Sequence, residues 1–316
     1  MYLLLYRHPT RYPAYRMQLE RGFACIEVTR GLMYSQHPLC SEQLDALVGV
    51  RYALELISTG VDPYQLIENT KRRSIYAQVF VIDYSRIEKH HARLPSRRLL
   101  GQLALAIDGD ISYKQPTVRY HLIETADRYY LMRQIHVPKW HKPNYAHRPH
   151  SYSAALSSEF AALAINTVAR PKDRLVDPTC GSGTIIYEAL QRGMRAWGYD
   201  HKWSWVKGAR ENLAYFGFTH SSSSPHLVSY ADAREVDFES DVVIANLPYG
   251  RVVNADMTTL KDILDHLYHC AVRFAFFSGQ PIDDLLREVG YVNIESVDLS
   301  TQPPHHRFLS FAQRGD

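Results

Sequence analysis

The 316-residue sequence contains only four cysteines, Cys25, Cys40, Cys180 and Cys270, and none of them are spaced as Cys-x-x-Cys. Neither a disulfide framework nor a zinc site is indicated, so no metal is expected. No window holds the roughly 18 consecutive apolar residues that span a bilayer. The apolar run near the start lacks the basic flank and the cleavage site of a signal peptide. These absences predict a protein of the reducing cytoplasm without a membrane segment.

The net charge is also small, +3, but it is unevenly distributed. Residues 1–150 carry 21 Lys and Arg against 13 Asp and Glu, a balance of +8, whereas the remainder carries 15 against 20. A basic half joined to an acidic half favours a polyanionic partner for the first half. Charge alone leaves open the alternative that these residues only form a solvated surface.

Three prolines and a lack of periodicity mark residues 138–152 as a linker. Before the linker, strand-like runs rich in Val, Ile, Tyr and Phe mix with two helix-like stretches, "SEQLDALVGVRYALELIS" and "SRRLLGQLALAI". We therefore expect an α+β region, divided into residues 1–60 and 61–137. In the first helical stretch, Ser41 is the expected N-cap.

Strands and helices alternate regularly in residues 153–316. This pattern predicts an α/β domain with a doubly wound, mainly parallel, Rossmann-like sheet of seven strands. The last two strands have no helix between them, so the final strand is expected to run antiparallel.

A glycine-containing loop, "DPTCGSGT", follows the first strand of this domain and opens a helix. Such loops lie at the carboxyl edge of the sheet, where open α/β sheets bind ligands. Because no Gly-Lys-Ser/Thr follows, a phosphate-binding P-loop is excluded. Asp177, Asp200 and Asp232 each end one of three successive strands, which places three acidic side chains at one sheet edge; a helix cap is the alternative role for any one of them.

The set "DPTCGSGT", "GYD", "ADA" and "NLPYG" resembles the class I S-adenosylmethionine-dependent methyltransferases that modify exocyclic amines, over Ser151 to Gln313. The resemblance implies a loop that contacts the methionine moiety, a ribose site at the second strand end and an adenine site at the third. The segment "HRPHSYSAALSSEFA" is similar to one that helps to close over the cofactor. The cofactor-binding candidates are Asp177, Pro178, Cys180, Gly181, Ser182, Gly183, Thr184, Asp200, His201, Asp232, Ala233 and Asn246.

The residues of the stretch "NLPYG" have the groups needed to hold a nucleobase amine for methylation. The lone pair of a nucleobase amine is delocalised into the ring, so its nitrogen must be pushed toward sp³ geometry. The Asn246 side-chain oxygen and the Leu247 carbonyl would accept its two N–H bonds. Pro248 would stiffen the turn, and Tyr249 would stack on an extruded base. Leu247 replaces the proline found in the family's motif, but its carbonyl acceptor is retained.

Residues 61–137 resemble a THUMP domain, a module of RNA-modifying enzymes that is associated with the acceptor end of tRNA. Residues 1–60 then correspond to a ferredoxin-like region. The candidate RNA-binding residues are Lys71, Arg72, Arg73, Arg93, Arg97, Arg98, Lys114, Lys139, Lys142 and Arg148. For each one, a merely solvated cation is the alternative interpretation.

The whole chain thus resembles the THUMP-containing tRNA guanine-N2 methyltransferases. The resemblance implies methyl transfer from S-adenosylmethionine to a guanosine of tRNA, with S-adenosylhomocysteine as product. Three alternatives stay open: action on ribosomal RNA, adenine-N6 methylation of DNA, and a non-catalytic RNA-binding protein with a vestigial methyltransferase domain. The sequence gives no indication of a protein activator subunit and leaves the need for one open.

Overall fold

A computed structural model describes residues 2–6, 11–29, 31–87, 96–140, 147–152, 155–219, 227–248, 256–300 and 306–315. Within these ranges the chain divides into two compact units. Unit 1 comprises Met1–Tyr12 and Phe23–Trp140, and unit 2 comprises Pro13–Gly22 and His141–Asp316.

The elements in chain order are β1 (Tyr2–Tyr6), α1 (Tyr12–Phe23), β2 (Cys25–Thr29), β3 (Leu32–Ser35), α2 (Ser41–Ala46), β4 (Val50–Gly60), α3 (Pro63–Lys71), β5 (Ile75–Arg86), α4 (Ser96–Ala104), β6 (Ile107–Ile111), β7 (Val118–Glu124), β8 (Tyr129–His136), α5 (Ser158–Val168), β9 (Arg174–Asp177), α6 (Thr184–Gln191), β10 (Arg195–Asp200), α7 (Trp203–Tyr215), β11 (Val228–Tyr230), β12 (Val242–Asn246), α8 (Met257–Tyr268), β13 (Arg273–Ser278), α9 (Asp283–Val289), β14 (Tyr291–Asp298) and β15 (Phe308–Arg314).

Unit 1 contains a mixed sheet of eight strands in the order β2-β3-β1-β4-β8-β7-β5-β6. Strand β5 runs parallel to both β6 and β7, and the other neighbours are antiparallel. Its larger core includes Leu66 of α3 and Leu103 of α4, packed with Phe80 and Leu122 of the sheet. The predicted α+β character of this region is confirmed. Both predicted regions, 1–60 and 61–137, contribute strands to one sheet, and the boundary between them stays a prediction.

The prediction of one long helix in unit 1 is wrong. The stretch that begins at Ser41 forms only the short helix α2, whose N-cap is Cys40 and not Ser41. Gly49 then adopts a left-handed φ of +74°, and residues from Val50 onward form β4. This strand hydrogen-bonds to β1 on one side and β8 on the other, and its central position in the sheet overrides the local helical pattern.

Unit 2 contains the predicted seven-stranded sheet, in the order β11-β10-β9-β12-β13-β15-β14. The first five of these strands are parallel, and β15 runs antiparallel to both β13 and β14, as expected. The direction of chain winding reverses between β9 and β12, so their carboxyl ends flank the crevice where such sheets bind ligands. The fold class predicted for this half is confirmed.

Helix α1 lies in unit 2 except for its end residues. Its fully buried Gln18 accepts a hydrogen bond of 2.7 Å from Asn166 of α5. Gly22 lets the helix approach α5 closely, because a Cβ at this position would lie 2.0 Å from the Asn166 carbonyl oxygen. The packing of α1 on α5 was not expected from the sequence.

Candidate active site

Two successive hydrogen bonds connect the ends of β9 and β12 on either side of the crevice. The Asp177 carboxylate, at the end of β9, accepts the Thr179 backbone N–H at 3.0 Å. The Thr179 hydroxyl then donates to the backbone carbonyl of Asn246, at the end of β12, at 3.1 Å. The loop after β9 and the turn after β12 are therefore held together. Sequence analysis missed Thr179, although it lies within the quoted loop.

The Asn246 side-chain oxygen is buried, and no described residue donates a hydrogen bond to it. A buried acceptor without a partner is uncommon and costs about 1–3 kcal/mol. The next residue is fixed: Leu247 N–H donates to the Phe277 carbonyl at 3.0 Å, and its side chain is 1% exposed. Pro248 is half-buried, whereas Tyr249 lies outside the described residues. The end of β12 thus presents an acceptor that the described residues leave unused, next to a backbone held by Phe277.

Asp200 organises the glycine loop through backbone N–H groups. One carboxylate oxygen accepts from Gly181 at 3.0 Å and the other from Lys202 at 2.9 Å. Each carboxylate oxygen can accept a second hydrogen bond, so capacity for a ligand hydroxyl is retained. Asp200 is only 7% exposed, whereas the predicted neighbour His201 is largely exposed. The N-cap of α7 is Lys202 and not Asp200, so the helix-cap alternative for Asp200 is wrong and its carboxylate instead shapes the loop.

The loop needs glycine at position 181 on two grounds. Gly181 has a φ of +51°, a left-handed conformation that residues with a Cβ rarely adopt. A Cβ would also lie 2.8 Å from the Trp205 ring of α7. The remaining loop candidates are buried around it, namely Pro178, Cys180, Ser182 and Thr184, and Gly183 caps α6.

Cys180 serves packing and not thiolate chemistry. Its side chain is 5% exposed, and burial raises the pKa of the thiol well above its ordinary value. Gly198 of β10 makes room for it, because a Cβ there would lie 2.9 Å from that of Cys180. A neutral, buried thiol is a poor nucleophile.

Asp232 and Ala233 follow β11, at the sheet position predicted for the adenine site. The Asp232 carboxylate accepts the Arg234 backbone N–H at 2.9 Å and is clamped by its guanidinium at 3.0 and 2.7 Å. These hydrogen bonds and the cation lower the pKa of Asp232 to about 2. Sequence analysis missed the role of Arg234 in holding this carboxylate.

The pKa of Asp177 is shifted in the opposite direction from that of Asp232. It is 1% exposed, and burial, with a contribution from nearby Asp200, raises its pKa from 3.8 to about 8. Cationic groups stabilise ionised carboxylates, so Asp177 and Asp200 together favour a positively charged ligand in this loop. These two carboxylates fit a cofactor that carries a sulfonium and an ammonium group.

Replacement of Asp177 by Asn is expected to make unit 2 more stable in alkaline buffer. Because the folded pKa is raised, ionisation opposes folding as the pH rises from about 4 to 8, by at most about 1.4 kcal/mol per pH unit. Urea denaturation at pH 5 and pH 8 measures the effect: the variant should gain most over the wild type at pH 8. An equal difference at both values would contradict the buried, protonated state.

The matched control is Asp241→Asn. Hydrogen bonds from the Arg174 backbone and side chain lower the pKa of Asp241, so its stabilisation is present above the unfolded pKa and lost below it. This variant should therefore be less stable than the wild type at pH 8, the opposite sign to Asp177→Asn.

Segment 147–152 lies against α7, beside the glycine loop. The Tyr152 ring stacks on Trp205, with 4.8 Å between centroids and an interplanar angle of 4°. The buried Asn212 side chain bonds the backbone of His150 and the Ser182 carbonyl. Sequence analysis did not find Asn212, because the groups that it joins are 30 and 62 residues away.

The candidate RNA-binding residues all precede or lie in the linker, and most are exposed. Those on the described surface are Lys71, Arg72, Arg73, Arg97, Arg98, Lys114 and Lys139. Arg148 is half-buried, and Arg93 and Lys142 lie outside the described residues. In the described ranges no three His, Cys, Asp or Glu side chains gather as metal ligands would, and no described helix is long and apolar enough to cross a bilayer.

Comparison with known proteins places these features in context. Residues 145–274 match the family model of the RMKL-like methyltransferase domain, UPF0020. A tRNA (guanine(10)-N2)-dimethyltransferase of Methanothermobacter thermautotrophicus is 31% identical over 175 residues, 52% of this chain and 51% of that protein. The enzyme of the same name from Pyrococcus abyssi is 30% identical over 132 residues, 40% of this chain and 36% of that one.

The chain thus spans about half the length of the first of these curated relatives and about a third of the second. Among solved structures, TrmN from Thermus thermophilus superposes with a TM-score of 0.52 at 18% identity, covering 99% of both chains. Unit 2 therefore has the fold of the class I methyltransferases, and a methyltransferase-domain match covers its glycine loop, its three strand-end carboxylates and Asn246.

Proposed function

We propose that the chain transfers a methyl group from S-adenosylmethionine to the exocyclic N2 amine of a guanosine in tRNA. The observation that carries the proposal is the buried side-chain oxygen of Asn246, to which no residue in the described part of the chain donates a hydrogen bond. Asn246 lies at the end of β12, and its backbone carbonyl accepts a hydrogen bond from Thr179 of the loop that would hold the methyl donor. Two relatives that act on guanine N2 in tRNA, by their names, support the choice of amine.

The residues around the crevice fit the methyl donor. The glycine loop would hold the methionine moiety near the Asp177 and Asp200 carboxylates, and Asp200 has acceptor capacity left for ribose hydroxyls. Asp232, fixed by Arg234, would accept the adenine amine beside the Ala233 backbone. When bound, S-adenosylmethionine supplies an electrophilic methyl group on sulfonium sulfur.

The turn after β12 would prepare the nucleophile. Asn246 Oδ1 and the Leu247 carbonyl would accept the two N–H bonds of the guanine amine and orient its lone pair toward the methyl group. The same acceptors would stabilise positive charge as the new N–C bond forms and the C–S bond breaks. Pro248 would fix their angle, and Tyr249 would stack on the base. The ammonium product then loses a proton to water, so no strong base is needed.

Unit 1 would bind the RNA. Exposed cations follow α3 and cover the start of α4, and the exposed rings of Tyr76 and Tyr113 offer stacking surfaces. Our proposal is that residues 61–137 form a THUMP-like domain that grips the acceptor end of tRNA, following a ferredoxin-like region over residues 1–60. The site of action would be the cytoplasm.

The test of the function is nucleoside analysis of undermodified tRNA. The purified chain is incubated with methyl-labelled S-adenosylmethionine and, in separate reactions, the tRNA, ribosomal RNA or DNA, and the digested nucleosides are separated by mass spectrometry. Label in N2-methylguanosine or N2,N2-dimethylguanosine is expected. Label in N6-methyladenosine of DNA, or in ribosomal RNA only, would overturn the substrate. Absence of S-adenosylmethionine binding in calorimetry would favour a vestigial domain.

Neutralising Arg97 and Arg98 together is expected to weaken tRNA binding and flatten its salt dependence. Each lost phosphate contact should reduce the slope of log Kobs against log salt by about 1. The measurement is filter binding at several KCl concentrations. The control is Arg128→Ala with Arg133→Ala, cations of the same unit that are already paired with Asp127 and Glu55. An unchanged slope would remove Arg97 and Arg98 from the interface.

A further inference from the structure

The buried side chain of Asn212 joins two segments that are far apart in sequence. Its Nδ2 group donates to the Ser182 carbonyl of the glycine loop at 3.0 Å and to the His150 carbonyl at 2.9 Å. Its Oδ1 atom accepts the His150 backbone N–H at 2.8 Å. Asn212 is 0% exposed, so water cannot replace these bonds.

The hydrogen-bonding groups of this side chain are matched to the two segments. An asparagine amide offers two N–H donors, and both are used here on backbone carbonyls. A buried carbonyl that loses its donor pays the desolvation penalty in full. Loss of Asn212 therefore weakens the glycine loop and segment 147–152 at the same time.

A second contact ties the same two segments together. Tyr152 stacks flat on Trp205, and the same indole lies so close to Gly181 that a Cβ there would be 2.8 Å from the ring. The Tyr152 hydroxyl also occupies space beside Gly208 of α7, where a Cβ would lie 2.9 Å from it. Segment 147–152 and the glycine loop thus share α7 as a common support.

We propose that Asn212 is a positioning residue that orders segment 147–152 and the glycine loop as one unit, so that affinity for the methyl donor depends on docking of the end of the linker. The inference rests on the proposed function for its ligand. Its physical basis is a conformational equilibrium of the glycine loop. If the loop adopts its binding conformation in only a fraction of the molecules, the affinity for the ligand is reduced by that fraction.

The test replaces Asn212 by Leu, which keeps the branched shape, favours the helix and removes all three hydrogen bonds. Hydrogen exchange of the unliganded protein should rise in peptides covering 147–152 and 179–183. Calorimetry should show about a tenfold rise in Kd for S-adenosylhomocysteine, or about 1.4 kcal/mol. In turnover assays KM for the methyl donor should rise, and kcat at saturation should change by about twofold or less.

The matched control is Asn166→Leu. Asn166 is also a buried asparagine in a helix of unit 2, but its side-chain bond is to Gln18 of α1. Asn166→Leu should lower the melting temperature about as much as Asn212→Leu does. It should leave hydrogen exchange at 147–152 and the Kd for S-adenosylhomocysteine unchanged. If Asn166→Leu raised the Kd as much as Asn212→Leu, or if Asn212→Leu left exchange in both peptides unchanged, the proposal would be overturned.

A milder variant covers the case in which Asn212→Leu does not fold. Tyr152→Ala removes the stacked ring from a half-buried position, and should raise exchange in both peptides and weaken cofactor binding about threefold or more. Wild-type exchange in 179–183 would contradict the coupling. If the wild-type chain bound no S-adenosylhomocysteine, the proposed function would fail, whereas the exchange data would still decide whether Asn212 holds both segments.

Discussion

Replacement of Asn246 by Ala is expected to lower the rate of methyl transfer by about 10²–10³-fold, the usual consequence of losing one preorganised polar group at a reacting centre. The buried Oδ1 atom has no partner among the described residues, so its removal breaks no hydrogen bond with them. Stability should therefore hold or rise slightly, because the desolvation penalty of that atom disappears. Single-turnover methylation of tRNA with labelled cofactor measures the loss.

Two measurements separate the role of Asn246 from a general defect. Calorimetry should give a cofactor Kd within about threefold of the wild type, since the glycine loop is held by Asp200 and not by this side chain. Asn246→Asp keeps an acceptor oxygen in place and should retain more activity than the Ala variant. Wild-type turnover in Asn246→Ala would remove this residue from the mechanism.

Replacement of Asp200 by Ala is expected to weaken cofactor binding by about a hundredfold or more. The buried backbone N–H of Gly181 and the part-buried N–H of Lys202 lose their acceptor, and a buried unpaired group costs about 1–3 kcal/mol. The proposed ribose acceptor is lost in the same change. Isothermal titration with S-adenosylhomocysteine measures the affinity.

Asp298→Ala is the matched control for this variant. Asp298 also ends a strand, β14, and accepts a backbone N–H, that of Ser300, at 2.7 Å. It lies at the other end of the sheet order, so the cofactor Kd should be unchanged. A Kd for Asp200→Ala within threefold of the wild type would mean that its carboxylate serves only to shape the loop.

The strand ends of unit 2 could be predicted from the sequence because their signals are local. Buried strands run into Asp177, Asp200 and Asn246, and parallel strands necessarily bring their carboxyl ends to one edge. What each of these side chains bonds could not be predicted. The Thr179 hydroxyl contacts Asn246 only because β9 and β12 are neighbours, a fact of sheet order and not of sequence distance.

Unit 1 was harder to predict, and β4 shows why. Leu44, Leu47, Val48 and Leu54 recur at helical spacing, yet Val50–Gly60 is a strand between β1 and β8. Partners from both ends of unit 1, β1 before it and β8 about eighty residues after it, supply its hydrogen bonds. Non-local pairing of this kind leaves no periodic trace in the strand itself.

The position of helix α1 in the sequence affects folding during translation and the choice of fragments that can fold alone. It completes unit 2 through Gln18 and Gly22, but it is synthesised before nearly all of unit 1, and its partner helix α5 follows more than 130 residues later. During translation α1 therefore emerges before α5 exists, and the face of α1 that packs on α5 stays uncovered until α5 has been made. A fragment that starts at His141 would lack this helix and expose the surface around Asn166. Addition of a peptide spanning residues 11–24 should then stabilise that fragment in trans.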